Sequence, residues 1–112
     1  MHELAITCNI VELVAEASNG RKVQRVSLEI GKLSGILPDA IAFCFPEVAR
    51  GTHAEEAVLD IREIDALARC DACGIEFSTP NLLTICPCGS LRFQRLKGGE
   101  LNIKSIELEE AI

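Results

Sequence analysis

Residues 70–90 read CDACGIEFSTPNLLTICPCGS and hold four of the six cysteines of this 112-residue chain. The four come as two pairs, Cys70-Asp-Ala-Cys73 and Cys86-Pro-Cys88, and a glycine follows each pair. Two thiolates on one tight turn can bind the same zinc ion, and the glycine can adopt a positive φ that lets backbone N–H groups point at sulfur. Twelve residues separate Cys73 from Cys86, enough for a hairpin that closes a tetrahedron of sulfurs. We therefore predict a structural zinc site with these four ligands.

The second cysteine pair is shorter than the first, because only Pro87 lies between its cysteines. Such a pair can still chelate, although its tighter loop restricts the angle between the two sulfurs and the metal. Two alternatives to zinc stay open. Cys70 and Cys73 also fit the dithiol–disulfide pair of an oxidoreductase, although the sequence lacks the helix start that lowers the pKa of such a thiol. The four cysteines could also be reduced thiols buried without a metal.

The segment around the cysteines, residues 67–94, has little periodic apolar content and contains two prolines. A segment of this kind cannot build a hydrophobic core unaided and needs a metal or disulfides. We predict that residues 67–94 form an inserted, zinc-ribbon-like module that binds zinc. Residues 1–66 and 95–112 are then expected to form a second domain around it.

The flanking segments predict an α+β domain with two helices and a small three-stranded sheet. Residues 4–18 carry a broad apolar stripe typical of an amphipathic helix, which Asn19-Gly20 ends. Residues 22–31 alternate between apolar and polar side chains, as a half-buried strand does. Residues 57–64 and 101–108 are also strand-like. The apolar residues of the last strand change parity, which fits a bulge or a strand covered on both faces.

A second helix is predicted over residues 38–50, with Pro38 in its first turn. Pro46 cannot donate a hydrogen bond to the preceding turn, so we expect it to kink or split this helix. The remaining cysteines, Cys8 and Cys44, fall on the apolar faces of the two helices. We expect both to be small buried core residues.

The composition excludes several classes of protein. The chain carries 17 acidic and 11 basic side chains, a net charge of −6, which argues against a nucleic-acid backbone or an anionic membrane as the main partner. Trp and Tyr are absent and Phe occurs four times, so few rings can stack on bases. No apolar run is long enough for a transmembrane helix, and no signal peptide is visible. We expect a cytoplasmic protein that neither inserts into a membrane nor binds nucleic acid.

The first three residues form a second candidate metal site. The Met1 α-amine, the deprotonated amide nitrogen of His2 and the His2 imidazole can close two fused chelate rings on one ion. The fourth position is left for Glu3, through its amide or its carboxylate, or for a ligand from the substrate side, and nickel(II) and copper(II) favour such planar nitrogen sets. The spacing by itself also fits a solvated chain end. The other histidine, His53, follows Gly51-Thr52 and is expected in a surface loop, with a role as an additional ligand as the alternative.

Met1-His2-Glu3-Leu4 resembles the N-terminal motif of the HypA/HybF family, the nickel metallochaperones of nickel–iron hydrogenase maturation. Four further stretches are similar to that family in the same order, corresponding to its first strand and turn, second helix, zinc motif and last strand. These stretches are Val26–Gly35, Ala42–Phe45 with Gly51-Thr52, the two cysteine pairs, and Gly99–Glu107. The resemblance extends over essentially the whole chain. The second cysteine pair departs from it, since the family usually has two residues between those cysteines.

The resemblance implies an α/β nickel domain with a zinc module inserted between its strands. It implies that His2 is the essential nickel ligand, that the Met1 amine and the Glu3 amide or side chain complete the site, and that Cys70, Cys73, Cys86 and Cys88 bind zinc. It also implies a carrier rather than an enzyme. The family delivers nickel to the hydrogenase large-subunit precursor together with the GTPase HypB, and in some organisms a related chain also serves urease maturation.

Two other functions remain as alternatives, a zinc-stabilised protein-interaction module and a thiol redox protein that uses Cys70 and Cys73. No Ser/His/Asp set and no phosphate-binding loop supports hydrolytic or phosphoryl-transfer chemistry. The sequence leaves open whether the protein is a monomer or a homodimer.

Overall fold

The structure of the protein is a computed structural model that describes residues 2–79 and 84–110. Within these residues, two helices and six strands follow one another, and the strands form two three-stranded sheets. The helices are α1 (Glu3–Ser18) and α2 (Pro38–Ala49). The strands are β1 (Val23–Gly31), β2 (Val58–Ile64), β3 (Ala66–Cys70), β4 (Glu76–Thr79), β5 (Phe93–Lys97) and β6 (Leu101–Leu108). This architecture confirms the predicted α+β fold class. Neither of these helices is long and apolar enough to cross a bilayer.

The first sheet has the order β2-β1-β6, so β1 is its central strand. Its side chains alternate in burial, as the sequence predicts, and the buried apolar ones are Val23, Val26, Leu28 and Ile30. In β6 the neighbouring residues Lys104 and Ser105 are both exposed, and the burial alternates in opposite phase on their two sides. The apolar residues of this strand change parity in the sequence, and the buried residues of the strand change parity at the same place.

Helix α1 buries a narrower stripe than its sequence predicts. The helix ends where Asn19-Gly20 predicts, because Asn19 adopts a left-handed conformation (φ 52°) directly after Ser18. The buried residues are Glu3, Thr7, Ile10, Val11, Val14 and Ser18. Leu4 and Leu13, on the two edges of the apolar stripe, are 60% and 55% exposed, and Cys8 is exposed as well. The expectation that Cys8 is a buried core residue is therefore wrong, because only the middle of the stripe is covered.

Helix α2 runs unbroken over Pro38–Ala49, so the expected split at Pro46 does not occur. Its buried residues lie four apart and are Ile41, Phe45 and Ala49. Ala42 and Pro46 both lie on the exposed side of the helix. Water can therefore satisfy the Ala42 carbonyl that lacks a helix donor, which lowers the cost of a proline at this position. Cys44 is half-buried rather than fully buried.

The chain divides into two compact units. The first unit contains the chain up to Glu29, Leu37–Arg62 and the chain from Asn102 onward, and within it α1 packs against α2. The second unit contains Ile30–Ile36 and Glu63–Leu101. This second unit is wider than the predicted module of residues 67–94, whose bounds stay a prediction.

Strand β3 is the centre of the second sheet, with β4 and β5 antiparallel on its two sides. Across β3 and β4, the side chains of Arg69 and Glu76 form a salt bridge of 2.8 Å. The rings of Phe77 and Phe93 pack edge to face with their centroids 5.6 Å apart. The buried side chains of β3 are small, namely Ala66, Ala68 and Cys70. The central strand of the second sheet therefore adds little apolar volume to the core of its unit.

Two glycines let the backbone of the second unit pass very close to itself. Gly98 has a φ of 101°, and a Cβ atom at this position would lie 2.2 Å from the Cα atom of Ala66. A Cβ atom at Gly31 would lie 2.1 Å from the carbonyl oxygen of Gly98. That same oxygen accepts the N–H of Leu33 at 3.0 Å, so it is fixed in place. No residue larger than glycine fits at Gly31 or Gly98.

Replacing Gly98 by alanine tests this close approach. We expect Gly98→Ala to lower the free energy of unfolding by about 3 kcal/mol, because the methyl group meets backbone atoms and an alanine is strained at positive φ. Gly51→Ala is the matched control, since Gly51 has a φ of 79° and nothing within 4 Å of an added Cβ. The control should lose only about 1 kcal/mol. Urea unfolding followed by far-UV circular dichroism measures both, and equal losses would contradict the close approach.

Candidate metal centre

The four clustered cysteines lie on two turns that the sequence shapes in the same way. In the first turn the N–H of Gly74 donates to the carbonyl of Cys70 at 3.0 Å, and in the second the N–H of Gly89 donates to the carbonyl of Cys86 at 2.8 Å. Gly74 has a φ of 78° and Gly89 a φ of 91°. Only glycine adopts these conformations without strain, so the two glycines close the turns as predicted.

The four sulfurs converge to a common point. The Sγ atoms of Cys70, Cys73, Cys86 and Cys88 all lie within 4.8 Å of one another. The Cys70 and Cys88 sulfurs are 3.6 Å apart, and those of Cys73 and Cys86 are 3.5 Å apart. A tetrahedron with Zn–S bonds of about 2.3 Å has edges of about 3.8 Å, close to both separations. The residues present therefore fit a zinc ion, and the shortened second pair places both of its sulfurs in the cluster.

Backbone N–H groups point at two of these sulfurs. Those of Ala72 and Cys73 donate to the Cys70 sulfur at 3.3 and 3.4 Å. The N–H of Cys88 donates to the Cys86 sulfur at 3.5 Å. The longer first pair thus brings two amides to its first sulfur, whereas the shorter second pair brings one.

The thiol pKa values of the two buried cysteines of the cluster are shifted in opposite directions. The N–H of Cys73 lowers the pKa of the Cys70 thiol to about 6, although burial acts in the opposite direction. Burial raises the pKa of the Cys86 thiol to about 12. Four sulfurs at these distances cannot all carry a negative charge without a cation among them. A zinc ion supplies that positive charge, and a thiol that coordinates it is deprotonated outright.

A redox role for Cys70 and Cys73 has weaker support. The pKa of Cys70 is lowered as in a redox cysteine, but the cause is amides of its own turn. Cys70 ends strand β3 and a turn follows, whereas low-pKa redox pairs commonly lie at a helix N-terminus. In the part of the chain that the structure describes, the four cysteines are also the one group of His, Cys, Asp or Glu side chains placed to share an ion.

The second predicted metal site lies at the start of α1. His2 is exposed and directly precedes the helix, and its carbonyl accepts the N–H of Ile6 at 2.9 Å. That bond is the first backbone hydrogen bond of the helix. The N–H groups of His2 and Glu3 therefore donate no hydrogen bond to another turn of α1. Met1, which is also a predicted nickel ligand, lies outside the described residues.

The Glu3 side chain is turned away from solvent and bound to the start of α2. The residue is 7% exposed, and its Oε2 accepts the N–H of Leu37 at 3.3 Å. Its carbonyl accepts the Thr7 hydroxyl at 2.7 Å. Burial acts to raise the pKa of the Glu3 carboxyl, but the N–H groups of Glu3 itself and of Leu37, together with the positive N-terminal amine, outweigh burial and hold the pKa below its ordinary value. The carboxylate is therefore ionised at neutral pH.

Two residues near Glu3 belong to this region although the sequence did not single them out. Thr7 is four residues beyond Glu3, a spacing at which a threonine hydroxyl donates to a helix carbonyl. The spacing could therefore have predicted this hydrogen bond. Leu37 is 34 residues away and contributes only its N–H, which no side-chain pattern reveals. His53 lies exposed in a turn and its carbonyl accepts the N–H of Val23 at 2.9 Å, which confirms its expected surface loop.

The chain is similar to proteins of a single family over nearly all of its length. The family model described as "Hydrogenase/urease nickel incorporation, metallochaperone, hypA" matches residues 1–108. The hydrogenase maturation factor HypA of Nostoc sp. (strain PCC 7120) is 54% identical over 110 residues, 98% of this chain and 97% of that protein. The hydrogenase maturation factor HypA of Nostoc punctiforme shows the same identity and coverage.

The fold agrees with a solved structure. The Ni metallochaperone HypA from Helicobacter pylori, known from a solution structure, has a TM-score of 0.71 to this chain. The match covers 96% of this chain and 97% of that one, at 24% identity. The family model and the relatives confirm the resemblance read from the sequence. Since the family match includes both the N-terminal residues and all four clustered cysteines, this chain is a member of the HypA family of nickel-incorporation metallochaperones.

Proposed function

We propose that this chain binds nickel(II) at its N-terminus and delivers it to the large-subunit precursor of nickel–iron hydrogenase during maturation. The observation that carries the proposal is the position of His2. It is exposed, it is the second residue of the sequence, and it directly precedes a helix in a member of a nickel-incorporation family. In this role the protein is a carrier and not an enzyme, and nickel is its cargo.

The proposed nickel site has three nitrogens, namely the Met1 amine, the His2 amide and the His2 imidazole, with Glu3 as the fourth donor through its amide or its side chain. The three nitrogens close two fused chelate rings, with the ion in their common plane, and nickel(II) favours such planar nitrogen donors. The amides of the first helical turn have no partner in the ladder. The loss of an amide proton to nickel therefore removes no N–H to carbonyl hydrogen bond between successive turns of α1.

An exposed site at the end of a chain suits the transfer of a metal. A planar donor set leaves both faces of the ion open, so a ligand of the receiving protein can bind before the carrier's ligands leave. The ion then passes to the acceptor without release into water. The net charge of −6 complements an acceptor whose metal-handling surface is basic.

We further infer that Cys70, Cys73, Cys86 and Cys88 bind one structural zinc ion. The separations between their sulfurs and the N–H groups that point at them support this assignment. Because the buried side chains of β3 are small, metal–sulfur bonds would add to the stability of the second unit where this strand contributes little. Such a site is closed, with four protein ligands and no open position for a substrate.

The proposed partners are the GTPase HypB and the hydrogenase precursor, with urease maturation proteins as further acceptors, all in the cytoplasm. The role requires neither nucleic acid nor insertion into a membrane, and it can be fulfilled by a monomer or a homodimer. A zinc-stabilised interaction module without nickel is the alternative, and it makes the opposite prediction in the titration that follows.

Nickel titration of the chain with a native, untagged N-terminus tests the proposed site. We expect one nickel ion per chain, and we expect His2→Ala to lose this stoichiometric binding because it removes the imidazole donor. His53→Ala is the matched control, since it removes the only other histidine and should bind as the wild type does. Zinc content is measured on all three chains and should not change. Nickel binding by His2→Ala equal to that of the wild type would refute the terminal site.

Nickel affinity should fall as the pH is lowered from about 7.5 to about 6. An α-amine ordinarily titrates near 8 and an imidazole near 6.5, so protons compete with nickel for both nitrogens over this range. Isothermal titration at several pH values measures the dependence, and His53→Ala should show the same slope. An affinity that is flat across the range would contradict ligation by the amine and the imidazole.

Removing one cysteine of the cluster should release zinc. We expect Cys70→Ser to retain less than one zinc ion per chain and to lose the fold of the second unit, since a structural zinc site supplies folding free energy. Cys8→Ser is the matched control, because Cys8 is an exposed cysteine outside the cluster, and it should keep one zinc ion. Elemental analysis and amide hydrogen exchange of residues 66–70 report the two outcomes. Full zinc content in Cys70→Ser would exclude the four-sulfur site.

A further inference from the structure

We propose that β2 pairs with β2 of a second copy of this chain, antiparallel and around a two-fold axis at Ile61. The pairing joins the two copies of the sheet β2-β1-β6 into one sheet of six strands. The sequence leaves the choice between a monomer and a homodimer open, and the edge of this sheet supports the homodimer. This inference goes beyond the proposed function and does not rest on it, because β2 contains none of the proposed metal ligands.

Strand β2 is the edge strand best suited to pair with another chain. It has seven residues, Val58–Ile64, and among the described residues it lies at one edge of its sheet. At the other edge, β6 changes parity at Lys104 and Ser105. In the second sheet, β4 has only four residues, and the register of β5 with β3 shifts beside Ala68. Because an irregular edge strand bends away from further pairing, these three strands are poorer edges than β2.

The free hydrogen-bonding groups of β2 lie at alternate residues. The carbonyl of Ile64 accepts the N–H of Lys32, the residue that follows β1, at 2.9 Å. The backbone groups of Ile64 therefore point toward β1, and those of successive residues in a strand point to opposite sides. By this alternation, Leu59, Ile61 and Glu63 turn their N–H and C=O groups toward the open edge. With Ile61 on the axis, these residues form three opposed pairs that exchange two hydrogen bonds each.

The side chains of β2 complement a second copy in this register. Asp60 and Arg62 lie on one face of the strand, because both line the same shallow cavity over the sheet. With Ile61 on the axis, Asp60 lies opposite Arg62 of the second copy, and Val58 lies opposite Ile64. These pairs fall between the hydrogen-bonded pairs, where opposite side chains approach most closely. An acid thus meets a base and an apolar residue meets an apolar residue.

In the single chain these side chains are exposed, and one charge has no partner. Val58 is 54% exposed. The Asp60 side chain is 61% exposed, and its distance to the Arg25 guanidinium is 3.9 Å. Arg62 is exposed and makes no salt bridge with any residue in the ranges 2–79 and 84–110. A second copy supplies the carboxylate that Arg62 lacks and covers the exposed valine.

The charges of β2 also exclude the neighbouring registers. An axis at Asp60 places two carboxylates opposite each other, and an axis at Arg62 does the same with two guanidinium groups. Like charges directly opposite destabilise a strand pair. Charged side chains on a sheet edge also oppose pairing with an unrelated strand. The edge is therefore selective for a second copy of itself in one register.

Charge reversal at Asp60 and Arg62 tests the pairing, because two variants that fail alone should pair with each other. Asp60→Arg leaves two cations on the strand and Arg62→Asp leaves two anions, so each variant alone places like charges opposite. An equimolar mixture restores both acid–base pairs. Glu47→Arg is the matched control, since it makes the same charge change at an exposed position on α2. Sedimentation equilibrium of the reduced chains measures association, and circular dichroism verifies that each variant is folded.

We expect the wild type and Glu47→Arg to approach twice the monomer mass of 12.1 kDa as the concentration rises. Each single reversal should weaken dimerisation by at least about tenfold, because two attractive pairs become repulsive. The mixture, and the chain that carries both Asp60→Arg and Arg62→Asp, should return to within about threefold of the wild type. The amide hydrogens of Leu59, Ile61 and Glu63 should exchange more slowly as the wild-type chain associates.

Three results would overturn the proposal. A wild-type chain that stays monomeric at every concentration would show that the edge does not pair. Dimerisation of both single reversals equal to that of the wild type would place the interface elsewhere, and a mixture without heterodimer would exclude the acid–base pairs. None of these measurements uses nickel, so failure of the proposed function remains a separate result, seen as undiminished nickel binding by His2→Ala.

Discussion

The second unit of this protein depends on four cysteine sulfurs that meet at one point. Its central strand buries only two alanines and a cysteine, so this strand adds little apolar burial to the unit. Two glycines at positive φ, Gly74 and Gly89, turn the chain so that the sulfurs come together, and amides of the same turns point at two of them. The cluster and the second sheet are directly linked, because β3, which pairs with β4 and β5, ends at Cys70.

The first unit holds two neighbouring residues in contrasting surroundings. His2 is exposed, whereas Glu3, the first residue of α1, is 7% exposed and accepts the N–H of Leu37 at the start of α2. One residue therefore stays open to solvent while the next joins the starts of the two helices.

Much of this organisation could be read from the sequence, and the exceptions have specific physical causes. The glycines after the cysteine pairs and the ends of both helices were predictable because they depend on neighbouring residues. The uninterrupted α2 was not, because the cost of Pro46 depends on which side of the helix faces solvent. The burial of Glu3 within an apolar stripe was not predictable either, since its partner is a backbone N–H on another helix. Exposure of Cys8 likewise depends on how much of α1 its neighbours cover, which periodicity alone does not state.

The exposed thiol of Cys8 has a practical consequence for the study of this protein. Since it lies outside the four-sulfur cluster, nothing in the described residues bridges it or holds it on a common ion, and air oxidation can join two chains through it. A covalent dimer formed in this way would imitate a native homodimer during gel filtration. Thiol reductants would prevent it, but they also bind nickel and zinc and would compete with the protein. Quaternary structure is therefore best measured with a phosphine reductant, by comparing the mass of the species before and after reduction.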